Sequence, residues 1–154
     1  MPQHSLHRTL PYMPDQMFDL VADIRRYPEF IKWVKALRVS KSNEKAGIQT
    51  SLAEALVAFK GLSETFSTQV KADRQTRQID VTYVHGPFKR LVNKWSFEAF
   101  GTGHSRIHFF VDYEFDNFVL RALARANQDM AMRKIMSSFV TEAHRRYETK
   151  PDTL

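Results

Sequence analysis

The feature that most constrains the fold of this chain is a change in the spacing of its apolar residues near residue 116. Between residues 34 and 115 apolar side chains largely alternate with polar ones, which is typical of strands with one buried face. Past Asn117 neither proline nor glycine occurs until Pro151, and the apolar spacing becomes that of an α-helix. The sequence therefore predicts an antiparallel sheet that packs on one long C-terminal helix, from about 118 to 148.

Turn signals divide the sheet region into about six strands joined as a meander. One face of the clearest strand carries Ile107, Phe109, Val111, Tyr113 and Phe115, and the matching face of its neighbour carries Leu91, Trp95, Phe97 and Ala99. Upstream, the pattern predicts a strand over 5–10, a helix over about 14–23 and a turn or short helix over 27–33. On the long helix we expect an apolar stripe through Met132, Met136 and Phe139, extended in its first half by Val119, Leu123, Ala126 and Met130.

Composition narrows the class of protein. A chain of 154 residues, 43% hydrophobic, is predicted to form one domain over 1–150 with a disordered tail over 151–154. The absence of cysteine excludes disulfides, a thiol nucleophile and cysteine-ligated metals, and the six histidines form no metal-binding motif. Without an apolar run long enough for a secretory signal or a membrane span, we expect a cytoplasmic protein, at most peripheral on the inner face of the inner membrane.

The net charge of +6 favours anionic surfaces, either phospholipid head groups or RNA. The basic residues are scattered along the chain, so charge by itself does not choose between these two partners.

Two motifs and a hairpin segment carry a resemblance to a known family. The first motif is Asp23-Ile24-Arg25-Arg26-Tyr27-Pro28-Glu29-Phe30, followed by Trp33. The second is Gly86-Pro87-Phe88-Lys89-Arg90-Leu91, followed by Asn93, Trp95 and Phe97. The hairpin segment is Phe59-Lys60-Gly61-Leu62-Ser63-Glu64-Thr65-Phe66. Together with the order of elements, these resemble the coenzyme Q-binding branch of the polyketide cyclase/dehydrase-like START proteins. This chain departs from many members at two positions, since it has Lys32 where they have Pro and Ala58 where they have Gly.

The resemblance implies an α+β helix-grip fold: about seven antiparallel strands around a long C-terminal helix, with two short helices after the first strand. It also implies a non-enzymatic protein that holds ubiquinone or a related isoprenoid lipid, as a ligand rather than a cofactor, for respiration or quinone biosynthesis. We propose no catalytic residue and no metal ligand. The predicted ligand-binding residues are the apolar side chains of the two opposed stripes and their surroundings: Trp33, Phe66, Trp95, Phe97, Phe109, Val111, Tyr113, Met132, Met136 and Phe139.

Similar sequences include a toxin that inhibits ribosome subunit association, so a ribosome-binding protein is the alternative, followed by a cyclase-like enzyme; DNA is not an expected partner. Glu54 and Glu64 share strand faces with leucines, so either carboxylate could point inward. In residues 27–35 aromatic side chains interleave with cations, which predicts membrane contact through Phe30, Lys32 and Lys35. The alternative is that Phe30 and Trp33 plug one end of the core.

Overall fold

The structure is a computed structural model that describes residues 3–59 and 61–148. Its elements, in chain order, are β1 (Gln3–Leu10), α1 (Pro14–Ala22), a 3₁₀ turn (Ile24–Arg26), α2 (Tyr27–Phe30), β2 (Val34–Lys45), β3 (Ile48–Phe59), β4 (Leu62–Asp73), β5 (Gln78–His85), β6 (Phe88–Ala99), β7 (Ser105–Phe115) and α3 (Phe118–Tyr147). The tail predicted over 151–154 lies outside the described residues.

The strands form one antiparallel sheet in the order β1-β7-β6-β5-β4-β3-β2. Strands β2 to β7 pair consecutively, so the six-strand meander is confirmed. The first strand closes the order by pairing with the last, with Leu6 opposite Phe109. The predicted arrangement of seven antiparallel strands, two short helices after the first strand and one long helix is confirmed.

One end of the sheet is closed by a tightly packed core. The apolar residues of α1 are almost completely buried, because this helix packs against β6, β7 and α3. Its Phe18 ring lies 6.0 Å from the Phe97 ring, and the Trp95 ring contacts those of Phe109 at 4.8 Å and Phe139 at 5.0 Å. The Trp95 indole donates to the side-chain oxygen of Asn93 at 3.0 Å, which gives this buried ring its polar partner.

The long helix α3 is buried unevenly along its length. Asn117 caps it by accepting from the backbone N–H groups of Val119 at 2.8 Å and Leu120 at 3.1 Å. From Met132 onward it buries Met132, Met136, Phe139, Val140, Glu142 and Ala143, whereas Leu120 is the one buried residue between Phe118 and Ala131. The predicted stripe is correct there at Leu123 but not at Val119, which is 60% exposed, or at Ala126, which is also exposed; the inner face runs through Leu120 and Leu123. The first half therefore leaves space beneath it.

Gly86, at the tight turn before β6, is the glycine that the fold can least replace. Its φ is +146°, and a Cβ built there would lie 2.5 Å from the Cβ of Phe66. We expect Gly86→Ala to lower the free energy of unfolding by about 2 kcal/mol or more, because overpacking is added to an unfavourable backbone conformation.

Gly103→Ala is the matched control for this clash, since Gly103 has a φ of +72° and a Cβ there would meet nothing within 4 Å. Chemical denaturation of both variants separates the cost of the steric clash from the cost of the backbone conformation. Equal losses would mean that the contact with Phe66 relaxes without cost.

Candidate functional site

An apolar cavity of about 300 Å³ lies between the sheet and the first half of α3. It exists because the helix meets the sheet closely only in its second half. The sheet wall consists of Val57, Phe59, Leu62, Glu64, Phe66, Pro87, Phe88, Leu91, Val111, Tyr113 and Phe115. The helix wall consists of Leu120, Leu123, Ala124, Asn127, Ala131, Met132, Lys134 and Ile135, and Trp33 completes the lining. This volume is at the lower end of what small-molecule sites offer, about 300–1,000 Å³.

The ring of Phe88 anchors the aromatic part of the sheet wall. It stacks on Phe115 at 4.5 Å and meets the edges of Phe66 at 5.3 Å and Tyr83 at 5.6 Å. The backbone N–H of Phe88 donates to the Tyr83 hydroxyl at 3.1 Å. These contacts hold the wall in shape without filling the space behind it.

The structure divides the predicted ligand-binding residues into two groups of five. Trp33, Phe66, Val111, Tyr113 and Met132 line the cavity. The other five do not line it and are buried in the packed core: Trp95, Phe97, Phe109, Met136 and Phe139.

The physical reason for this division is the position of α1 and α2. Phe18 of α1 covers Phe97, while Tyr27 and Phe30 of α2 pack on the Phe139 ring at 5.3 and 5.5 Å. These contacts fill the space between the sheet and α3 at the end where the second group of residues lies. The open volume is left at the end formed by β3, β4 and the start of α3.

Sequence reasoning missed most of the helix wall, although it placed Leu123 on the apolar stripe and Met132 among the ligand-binding residues. Leu120, Leu123, Ala124, Asn127 and Ala131 follow the i, i+3, i+4, i+7 spacing of one helix face, and this was the available signal. The polar Asn127 and the small alanines interrupt that face, which made a neighbouring stripe look more apolar.

The two glutamates considered for an inward position take opposite sides of the sheet. Glu54 points outward, where its carboxylate lies 3.6 Å from the Arg38 guanidinium, because β3 buries Ala53 and Ala55 instead. Glu64 points inward and lines the cavity between Leu62 and Phe66.

Few polar groups reach the cavity. The amide nitrogen of Asn127 donates to the carbonyl oxygen of Leu123 at 2.8 Å, which fixes the orientation of the amide. Burial raises the pKa of the Tyr113 hydroxyl above its ordinary value, so it stays protonated at neutral pH. Within residues 3–59 and 61–148, no side chain forms a hydrogen bond or ion pair with the Glu64 carboxylate.

Residues 27–35 combine packed aromatics with exposed cations. The Tyr27 hydroxyl donates to the carbonyl of Val21, and its pKa is raised by burial and, to a smaller extent, by the charge of Asp23. Phe30 packs on Tyr27 and Phe139, so its ring belongs to the core end. Lys32 and Lys35 are exposed.

Two features of residues 3–59 and 61–148 bear on the class of site. None of their histidine and acidic side chains come together in a group of three or more that could hold a metal ion. Over the same residues, no helix is long and apolar enough to cross a bilayer.

An antiparallel sheet that grips a long helix across an apolar cavity defines the helix-grip, START-like class of domains. The chain belongs to the family described as polyketide cyclase / dehydrase and lipid transport, whose model matches residues 10–140. This confirms the family resemblance carried by the two motifs.

Individual relatives fall into two functional groups. The ribosome association toxin RatA of Rickettsia prowazekii is 32% identical over 144 residues, which cover 92% of this chain and 94% of the toxin. The mitochondrial coenzyme Q-binding protein coq10 of Schizosaccharomyces pombe is 30% identical over 138 residues, covering 88% of this chain and 83% of that protein. Among solved structures, an 18 kDa protein from Caulobacter crescentus matches with a TM-score of 0.79 at 38% identity, covering 94% of this chain and 97% of that chain.

Proposed function

We propose that this protein binds ubiquinone or a related isoprenoid lipid in the cavity and delivers or chaperones it for respiration or quinone biosynthesis. The observation that carries the proposal is the cavity itself, which is lined almost wholly by apolar side chains between the sheet and α3. The similarity to coq10 supports the choice of a quinone among apolar ligands.

Burial of apolar surface can drive such binding without any catalysed reaction. Each isoprene unit contributes roughly 3–4 kcal/mol when buried, at about 0.8 kcal/mol per carbon. Two or three units contribute roughly 6–12 kcal/mol, which is comparable with an association cost of about 4–15 kcal/mol. A site that works in this way requires few polar anchors, and we propose no catalytic residue.

Solvent extraction of the purified protein, followed by mass spectrometry, tests the proposal directly. We expect an isoprenoid quinone in an amount close to one per protein chain. A protein that carries no isoprenoid, and that takes none up from quinone-loaded vesicles, contradicts the proposal.

We further propose that the protein meets an anionic bilayer when it exchanges its ligand. Lys32 and Lys35 supply exposed charge beside the cavity-lining Trp33. Phe30, the third predicted contact, is held in ring packing, whereas Phe118 is 75% exposed close to Leu120 of the cavity wall. The charges would attract the membrane, and the exposed ring would enter its interface.

The double substitution Lys32→Glu with Lys35→Glu is expected to weaken binding to anionic vesicles at least tenfold, because each basic residue near the surface contributes about 1 kcal/mol. Vesicle flotation measures the effect, and quinone transfer between vesicles should slow in parallel. The charge-matched control, Lys45→Glu with Lys71→Glu, changes two exposed lysines elsewhere on the sheet. If the two double variants bind alike, residues 32–35 do not form the membrane contact.

A ribosome-binding role is the second candidate, and the similarity to RatA favours it. Such binding would use the basic surface, with the net charge of +6, rather than the cavity. It should weaken steeply with salt as phosphate contacts are lost. Sedimentation of ribosomal subunits with the pure protein tests this role, and unchanged subunit association eliminates it.

A further inference from the structure

The Glu64 carboxylate is the acidic group of the cavity wall, and its surroundings set it apart from the other carboxylates near the protein interior. Glu142 is bound by Arg145 and Arg146, while Asp112 and Glu114 are bound by Arg90. Glu64 is half-buried between Leu62 and Phe66 and has no hydrogen-bonding partner among the described residues. A polar group in such a place is satisfied by water or by a ligand.

The second inward polar group, across the cavity, also presents an acceptor. Asn127 uses its amide nitrogen to donate to Leu123, which leaves its side-chain oxygen as the group without a partner among the described residues. Lys134 also borders the cavity, but this residue is exposed, which leaves its ammonium group accessible to water. The two half-buried polar side chains of the cavity, Glu64 and Asn127, therefore offer hydrogen-bond acceptors, while the hydroxyl of the buried Tyr113 can donate or accept.

We propose that Glu64 binds the hydroxyl group of a reduced, hydroquinone head group, so that the protein holds the quinol form of its ligand in preference to the quinone form. This inference rests on the proposed function. A carboxylate accepts hydrogen bonds and has no proton to donate. A hydroquinone hydroxyl can donate to it, whereas a quinone carbonyl brings a second set of lone pairs against a negative charge.

The expected preference follows from the strength of a hydrogen bond to a charged acceptor, which corresponds to about tenfold or more in affinity. Because reduction adds two electrons and two protons to the quinone, a tenfold tighter quinol complex raises the midpoint potential of the bound couple by about 30 mV.

The test compares the oxidised and reduced forms of one ubiquinone analogue with a ten-carbon alkyl tail, titrated without oxygen and followed by quenching of tryptophan fluorescence. Wild-type protein should bind the quinol about tenfold more tightly. Glu64→Gln should abolish or reverse the preference, since the amide can donate to a quinone carbonyl. Among the described residues Glu64 makes no hydrogen bond or ion pair that this change would remove, so the fold should be retained.

Glu54→Gln is the matched control, because Glu54 is a glutamate on the outer face of the neighbouring strand. It should keep the wild-type preference. Equal affinity of the wild-type protein for both forms, or an unchanged preference in Glu64→Gln, overturns this inference and leaves the proposed function standing. If neither form binds, both this inference and the proposed function are wrong.

Discussion

Replacing Ala131 with phenylalanine is expected to eliminate ligand binding while leaving the protein at least as stable as before. Ala131 lies on the helix wall of the cavity, where the new ring would occupy space that the isoprenoid tail otherwise fills. Displacing one isoprene unit removes roughly 3–4 kcal/mol of burial, equivalent to a loss of affinity of about a hundredfold or more. Filling an empty apolar cavity instead raises the free energy of unfolding, by about 0.5–2 kcal/mol.

The opposite signs of these two effects distinguish a blocked site from a damaged fold. Ala126→Phe is the control, because Ala126 lies on the same helix but is exposed. Quinone titration and thermal unfolding should be measured on both variants. If Ala131→Phe binds as tightly as Ala126→Phe, the ligand lies elsewhere and the cavity is a packing defect.

The sequence predicted the architecture because each periodicity has one structural solution. Alternation over 34–115 and helical spacing past Asn117 require opposed apolar faces, and these are the faces of the sheet and α3. The helix boundaries were also accessible, since Pro14 begins α1 and Asn117 caps α3.

The division between core and cavity could not be predicted from the same patterns. Phe109 and Val111 are neighbours on one face of β7, yet Phe109 is packed against Trp95 whereas Val111 borders the cavity. Both residues occupy equivalent positions in the alternating pattern of β7. Only the placement of α1 and α2 makes Phe109 a core residue and Val111 a cavity-lining residue. Tertiary packing of this kind leaves no local signal in the strand.

The inward side of β3 was ambiguous for a related reason. Leu52 and Leu56 flank Glu54 on one face, while the smaller Ala53 and Ala55 occupy the other. Hydrophobicity favoured the leucine face, but the structure buries the alanines. Because the side-chain period of a strand is two, an error of one residue moves every side chain to the opposite face.

A second substitution with a large expected effect, this time on stability, is at Glu142, which is 4% exposed near the end of α3. Arg145 donates to it through two nitrogens at 2.9 and 2.6 Å, and Arg146 donates at 2.6 Å. These hydrogen bonds, that of Arg145 above all, lower the pKa of Glu142 to about 2 against the opposing effect of burial. The Arg146 guanidinium also lies over the Phe30 ring at 5.7 Å, so the cluster connects α3 to α2.

Glu142→Gln is therefore expected to lower the free energy of unfolding by about 3 kcal/mol at pH 7, because it leaves two arginines without their counter-charge. The folded-state pKa lies below the unfolded value, so this stabilisation is fully present above about pH 4.5 and is lost as the pH falls towards 2. Denaturation curves between pH 7 and pH 2 should show the wild-type and variant stabilities converging. Glu29→Gln is the control, since its exposed pair with Arg26 should contribute less than about 1 kcal/mol. A difference between wild type and Glu142→Gln that stays constant across this range would mean that packing, rather than charge, accounts for the effect.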